Sequence, residues 1–280
     1  VLKRIYLEIT NVCNLRCSFC PGTARSPRFL TPEEFAFLAR RLRPHTDYLY
    51  LHVMGEPLLH PRLAELLALS HELGFRVCLT TNGTLLPRRR EVLLATPALH
   101  KLSVSLHSFE ANPGDNLTSY LEGVWQTCDA LRQRDVLCAL RLWNQGGLDA
   151  ENENILYFLS QKIQRDIETL PTDRRDNRTL APRLFLERAE QFDWPDPEAP
   201  EAAVEFCHGL RQQAAVLCDG TVVPCCLDGE GRIPLGNLFT QEWAEIMESP
   251  RARAIRRGFE RRRPSEDLCR RCGYAKRFTK

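Results

Sequence analysis

Six short apolar runs, five of them followed by a helix-forming stretch, constrain this chain more than any other feature. Residues 4–10, Arg-Ile-Tyr-Leu-Glu-Ile-Thr, read as the first strand. Thr31-Pro-Glu-Glu then opens a helix reaching about Leu42, with Thr31 as N-cap and Pro32 in the first helical position. Further strands are expected over Tyr48–Val53, Arg76–Thr81, Lys101–His107, Leu137–Trp143 and Arg183–Arg188. The intervening helices fall over Pro61–Leu73 (closed by Gly74), Arg88–Leu94, Leu117–Arg134 and Glu151–Arg165. Strands alternating with helices imply a parallel sheet, and right-handed crossovers curl it toward a barrel. The fold class is therefore α/β: a partial (β/α)6 TIM-like barrel over residues 1–192. Pro171–Pro182 reads as an irregular connection. The stretch Asp193–Glu201, rich in Pro, Asp and Glu, starts a linker over 193–206, and residues 207–280 form a small C-terminal extension.

Side chains alternate across a strand, so each run divides into two faces. One face is apolar: Leu7 and Ile9; Leu49, Leu51 and Val53; Leu79; Leu102, Val104 and Leu106; Leu140 and Leu142; Leu184 and Leu186. The other carries Glu8, Thr10, Tyr50, His52, Thr80, Asn82, Ser103, Ser105, His107, Arg141, Trp143 and Glu187. Complete eight-stranded barrels fill their interior with branched apolar residues. Leaving polar groups buried and unpartnered costs roughly 1–3 kcal/mol each. The pattern therefore predicts a hollow barrel with a polar guest.

The loop after the first strand carries Cys13-Asn-Leu-Arg-Cys17-Ser-Phe-Cys20. Three thiolates leave one iron of a four-iron cube without a protein ligand. This CxxxCxxC, with Phe19 before its third cysteine, resembles the signature of the radical S-adenosylmethionine (SAM) enzymes. The resemblance implies a [4Fe-4S] cluster on Cys13, Cys17 and Cys20 whose open iron binds SAM. One electron then cleaves SAM, and the 5′-deoxyadenosyl radical takes hydrogen from a substrate. Met54-Gly55-Glu56-Pro57, after the second strand, matches the family's Gly-Glu-Pro motif, with Met54 in place of its first glycine. By the same resemblance Gly55 permits close backbone approach, Glu56 answers the SAM ammonium, and Phe19 lies against adenine. Ser105 and Arg141 would hold the ribose or carboxylate, with Asn82 a further candidate. An internal ion pair with Glu187 or Glu8 is the other reading of Arg141.

Cys207, Cys225, Cys269 and Cys272 supply four more thiolates, enough to saturate a second [4Fe-4S] cube or a tetrahedral zinc. Cys218 and Cys226 are nearby spares that could displace Cys207 or Cys225. The spacing resembles the SPASM and twitch extensions of radical SAM enzymes and implies one auxiliary cluster. Cys78, Cys128 and Cys138 read as buried small apolar residues.

A net charge of +2 argues against an obligate nucleic-acid partner, and Arg261-Arg262-Arg263 reads as a solvated helix face. No apolar stretch approaches the ~20 residues of a membrane span, and no secretory segment is evident. Clustered cysteines without such a segment suit metal sites in a reducing cytoplasm. The first strand starts almost at residue 1, with no peptide-recognition module before it, which favours a small enclosed substrate. Phrases such as Cys-Ser-Phe-Cys-Pro and Leu-His-Val-Met-Gly-Glu-Pro resemble the queuine lyase subgroup, which converts queuine to its aminomethyl deazaguanine precursor (preQ1) in queuosine salvage. In such a lyase Glu8 or Glu187 would bind an amine cation, and His52 or His107 would transfer a proton. A low-potential donor such as flavodoxin or ferredoxin is implied. The alternatives are a SPASM-type peptide maturase and a noncatalytic iron–sulfur or zinc redox sensor.

Overall fold

Leucine and β-branched side chains on one face of each run, with polar ones on the other, suit strands that bury one side against helices. The computed structural model describes residues 2–111, 116–174 and 176–278. Its barrel strands are β1 (Arg4–Leu7), β2 (Tyr48–Tyr50), β3 (Arg76–Thr81), β4 (Leu99–Ser105) and β5 (Leu137–Gln145), then β6 (Arg178–Ala181) and β7 (Leu184–Glu190). Helices α1 (Pro32–Leu42), α2 (Leu63–Glu72), α3 (Leu86–Ala95), α4 (Leu117–Arg132) and α5 (Asn152–Ile163) form the crossovers. The start of α1 is fixed by a capping box: the Thr31 hydroxyl accepts from the Glu34 amide, and the Glu34 carboxylate accepts from the Thr31 amide.

Strands β1, β2, β3, β4, β5 and β7 lie side by side in that order, all parallel. The segment expected to be irregular instead contains β6, an antiparallel partner on the outer edge of β7. Four residues between polar flanks give no readable period, and the left-handed Arg183 (φ 62°) closes the hairpin.

The extension continues the same sheet. Strand β8 (Gln213–Val216) pairs in parallel with β1, β9 (Thr221–Val223) folds back on β8, and β10 (Gly236–Asn237) follows. Gly220 makes the β8–β9 turn at φ 85°, where a Cβ would lie 2.4 Å from the Phe239 ring. Helices α6 (Trp243–Met247), α7 (Pro250–Glu260) and α8 (Asp267–Arg270) complete the extension. The expected spacer does not hang free. Ala202 donates to the Arg270 carbonyl, and the Arg271 guanidinium bonds the Ala199 carbonyl.

The apolar face packs under the helices, with Leu7, Ile9, Leu49, Leu51, Leu102, Leu140, Leu184 and Leu186 all buried. Val53 departs from it and packs toward Tyr6. The hollow-barrel expectation needs correction. Tyr6 and Tyr50 pack at a tilt with ring centroids 4.8 Å apart, and His52 is edge-on to Tyr6 at 5.4 Å. Glu187 bridges Lys101 and Arg141, each at 2.9 Å. Glu187, Arg141, Lys101 and Thr80 thus pair with one another within the barrel, whereas the buried Nδ1 of His52 has no hydrogen-bond partner among the described residues, and a cavity of about 650 Å³ opens at the mouth.

Candidate functional site

The loops after β1 to β4 meet at the C-terminal rim. Cys13, Cys17 and Cys20 share one loop, and the Cys20 amide donates to the Cys17 carbonyl at 3.1 Å. Asn82, just after β3, points its amide at Cys13 Sγ (4.0 Å) and at Asn14 Oδ1 (3.0 Å). Cys17 Sγ lies 3.9 Å from the Ser108 carbonyl beyond β4. Phe19 packs on His107 with ring centroids 4.7 Å apart. Burial, then the neighbouring Cys20 and Cys13 thiols, push the Cys17 thiol up to about 12. Gathering three thiolates here costs electrostatic energy, which a cationic iron–sulfur centre offsets. The donor set fits such a centre.

The motif loop after β2 is stitched to the cysteine loop by backbone. The Glu56 amide donates to the Val12 carbonyl at 2.8 Å. Gly55 sits at φ 74°, and a Cβ there would lie 2.6 Å from the Thr10 carbonyl oxygen, so any side chain would separate the loops. Pro57 begins the single 3-10 turn that Glu56 caps. The Glu56 carboxylate accepts from the Leu58 amide (2.9 Å), the Thr81 hydroxyl (2.8 Å) and the Asn82 amide (2.8 Å). It is buried and ties the β2 loop to β3.

Burial raises the Glu56 carboxyl from 4.5 to about 7 despite those three donors. Between these values the folded chain keeps a proton that the unfolded chain has lost. Stability of the metal-free protein must therefore fall as pH rises through that window and level off above it, a swing of about 3 kcal/mol. In Glu56→Gln this slope should flatten, as read by urea denaturation from pH 5 to 8. An unchanged slope would contradict the assignment.

Glu8, expected to meet a substrate amine, is placed differently. It is fully buried and takes both Arg25 guanidinium nitrogens, Nη2 on Oε1 at 2.7 Å and Nη1 on Oε2 at 2.8 Å. It also accepts from the Met54 amide (3.1 Å), the Cys218 amide (3.0 Å) and the Cys218 thiol (3.0 Å). One carboxylate thus joins β1, the cysteine loop, the motif loop and the end of β8. Glu187 is likewise engaged: burial works against its ionisation, but Arg141 and Lys101 together hold it below the usual range. Arg141 gives its Nε to Glu187 and lies 4.5 Å over the Trp143 ring. Ser105 ends β4, and its carbonyl accepts the Ser108 hydroxyl at 2.6 Å.

The two histidines sit where charge is disfavoured. Burial, with Arg141 nearby, lowers His52 to about 3. Burial lowers His107 to about 4, and its Nδ1 lies 3.1 Å from the Arg141 carbonyl. Burial thus favours the neutral form of both rings near pH 7.

Cys207, Cys225, Cys269 and Cys272 line one largely apolar cavity in the extension. Burial first, and then the surrounding thiols, push Cys225 far up. Of the two spares, Cys218 is tied to Glu8, and Cys226 packs toward Tyr6, Leu217 and Val223. Around a single zinc every thiolate would lie ~2.3 Å from one point. Among the described residues no three His, Cys, Asp or Glu side chains converge in that way. Four thiols lining one cavity supply the ligand number of a four-iron cube.

Between the two cysteine sites lies a cavity of about 650 Å³. Its walls are the cysteine loop (Ser18, Phe19 and 21–24), Met54, residues 191–197 and the turn Leu227–Glu230. Pro195, Leu227, Asp228 and Leu268 border both this cavity and the thiol cavity. The turn grips the rim at two points. Glu230 accepts from the Ala24 amide at 3.2 Å, and Gly229 leaves room for Met54, whose Cγ would lie 2.6 Å from a Cβ there. Met54, bulkier than the motif's usual glycine, is thus matched by a glycine in the extension. Sequence reasoning missed Arg25, Phe192, Trp194, Gly229 and Glu230. Aromatic residues inside a proline-rich acidic stretch were the available signal for Trp194.

The radical SAM superfamily model matches residues 7–158, and the SPASM iron–sulfur cluster-binding domain matches residues 207–273. A GTP 3′,8-cyclase of Stenotrophomonas maltophilia (strain K279a) is 35% identical over 125 residues, covering 41% of this chain and 36% of that protein. An AdoMet-dependent heme synthase of Methanosarcina barkeri is 32% identical over 117 residues, covering 41% of this chain and 34% of that protein. The chain thus matches about a third of the length of these relatives. Among solved structures, BtrN in complex with AdoMet and 2-DOIA superposes with a TM-score of 0.62 at 19% identity, covering 97% of this chain and 93% of that one. SuiB of Streptococcus suis bound to its precursor peptide SuiA gives 0.54 at 14% identity, covering 99% and 73%.

Proposed function

Because the chain belongs to the radical SAM superfamily, we propose that it acts on a small amine-bearing molecule held in the mouth cavity between its two cysteine sites. The observation that carries this reading is the cavity's lining. Phe19, Phe192 and Trp194 offer flat apolar faces, and Asp193, Asp196 and Glu230 offer negative charge beside the single Arg232. A volume of about 650 Å³ suits a ligand of a few rings. Aromatic faces and carboxylates together favour a ring system carrying a cation.

When bound, the site cluster supplies one-electron cleavage of SAM to a 5′-deoxyadenosyl radical. The chain's own residues hold and shield. Cys13, Cys17 and Cys20 would ligate that cluster, and Phe19, backed by His107, would form the adenine wall. Asn82, beside Cys13, and Arg141, oriented by Glu187, would receive the polar groups of SAM, with Ser105 next to them. Gly55 lets the motif loop come close, while Glu56 and Glu8 keep the loops in register. Cys207, Cys225, Cys269 and Cys272 would hold the auxiliary cluster behind the wall formed by Pro195, Leu227 and Leu268.

Queuine is the specific substrate of this reading, and the reaction is a lyase cleavage. Its deazaguanine ring suits the aromatic faces, and its secondary amine suits Asp193 or Glu230. Hydrogen would be abstracted from the cyclopentene ring, the C–N bond would then break to leave a ring alkene and an aminyl radical, and one electron from the low-potential donor plus one proton would give the amine. The test is anaerobic mass spectrometry of reduced, reconstituted protein with SAM, with and without queuine. Queuine-dependent formation of 5′-deoxyadenosine together with the aminomethyl deazaguanine is the expected result. Slow 5′-deoxyadenosine formation indifferent to queuine would reject queuine and keep the family chemistry.

A further inference from the structure

The segment 250–263 holds seven arginines and one acidic residue, Glu260. Three of the arginines are paired: Arg251 with Glu266, Arg256 with Glu248 and Arg262 with Glu205. Arg253, Arg257, Arg261 and Arg263 are exposed and form no salt bridge among the described residues. Arg253, Arg257 and Arg261 recur every four residues and share one side of α7 and its cap. The opposite side, Ala252, Ile255 and Phe259, is buried, and Phe259 lines the cavity of Cys207, Cys225, Cys269 and Cys272. The helix therefore covers the auxiliary thiol site from outside and turns unpaired positive charge to solvent. Like charges this close repel one another, and among the described residues no carboxylate pairs with them, although Arg257 and Arg261 gain from the C-terminal end of the helix dipole.

We propose that this arginine face is the docking surface for an acidic one-electron carrier protein of the flavodoxin type. The inference rests on the family membership but not on the choice of substrate. Charge complementarity selects the occupant. A carrier with a negative rim would be steered to the face and would stop one helix away from the auxiliary site. It would arrive as the hydroquinone, pass one electron to the cluster held at the auxiliary site and leave as its semiquinone.

The test measures binding of oxidised flavodoxin to the full chain by fluorescence anisotropy, alongside the triple variant Arg253→Glu, Arg257→Glu and Arg261→Glu. The variant should bind about tenfold more weakly, or worse, at about 50 mM salt. The difference should vanish near about 500 mM, where screening is nearly complete. A Gln triple at the same positions, gentler on the helix, should fall between the two. In parallel, 5′-deoxyadenosine formation driven by flavodoxin should drop in the Glu variant, while formation driven by dithionite stays at the wild-type level. Equal flavodoxin affinity in all three proteins would overturn the proposal. So would equal loss of the two activities, because the arginines would then be structural. Salt-sensitive binding of a short RNA without binding of flavodoxin would overturn it in favour of nucleic acid. Absence of dithionite-driven cleavage in the wild type, with flavodoxin binding intact, would count against the family chemistry and leave the docking face standing.

Discussion

Replacing Cys17 with alanine should reduce 5′-deoxyadenosine formation to background while the far-ultraviolet circular dichroism stays that of the wild type. Cys17 is half-buried in a loop outside the hydrophobic core, with its thiol 3.9 Å from the Ser108 carbonyl. Losing the sulfur therefore opens no core cavity. On the ligand assignment proposed above, it removes one of three ligands to a centre that has no protein donor to spare. Cys226→Ala makes the contrast. Cys226 packs toward Tyr6 and Val223 and, although near the auxiliary thiols, is not among the four that line their cavity, so that variant should keep SAM cleavage. Equal loss in both variants would mean the ligand assignment is wrong.

Glu8→Ala should destabilise the metal-free protein by about 3–5 kcal/mol in urea denaturation under reducing conditions. The loss does not come from the carboxylate alone. It leaves the Arg25 guanidinium, only 15% exposed, beside amides of Met54 and Cys218 that also lose their acceptor. Removing Arg25 as well should recover part of the deficit, because the two side chains act as one unit. A Glu8→Ala protein with wild-type stability and only a raised KM would show instead that Glu8 meets the substrate.

Much of the fold was legible because burial imposes a period. The apolar alternation in 48–53, 76–81 and 137–143 placed β2, β3 and β5, and Thr31-Pro-Glu-Glu placed the start of α1. The cysteine spacings likewise pointed to two separate thiol sites, which is where the structure gathers them. Alternation also assigned Glu8, Arg141 and Glu187 inward. The Arg141–Glu187 pair is one of the two readings offered for Arg141, whereas the partners Arg25 and Lys101 come from other segments and were not readable. The two histidines illustrate the same gap: residue type suggests proton transfer, but burial decides their charge. Strand β8 was missed because Gln213–Val216 is too short to announce a strand without its neighbour β1. The stretch after residue 192 read as a spacer on composition, yet Phe192, Asp193 and Trp194 wall the mouth cavity.

The central claim is that one cavity lies between two iron–sulfur sites, only one of which is open to SAM. The most direct measurement is iron analysis combined with Mössbauer and electron paramagnetic resonance spectra of the anaerobically reconstituted protein, with and without SAM. The account predicts about eight irons per chain in two four-iron clusters, with SAM altering the signal of one. The protein carrying Cys13→Ala, Cys17→Ala and Cys20→Ala should retain about four irons and a signal indifferent to SAM. Zinc in place of the second cluster, or SAM perturbing the signal that survives in the triple variant, would contradict it.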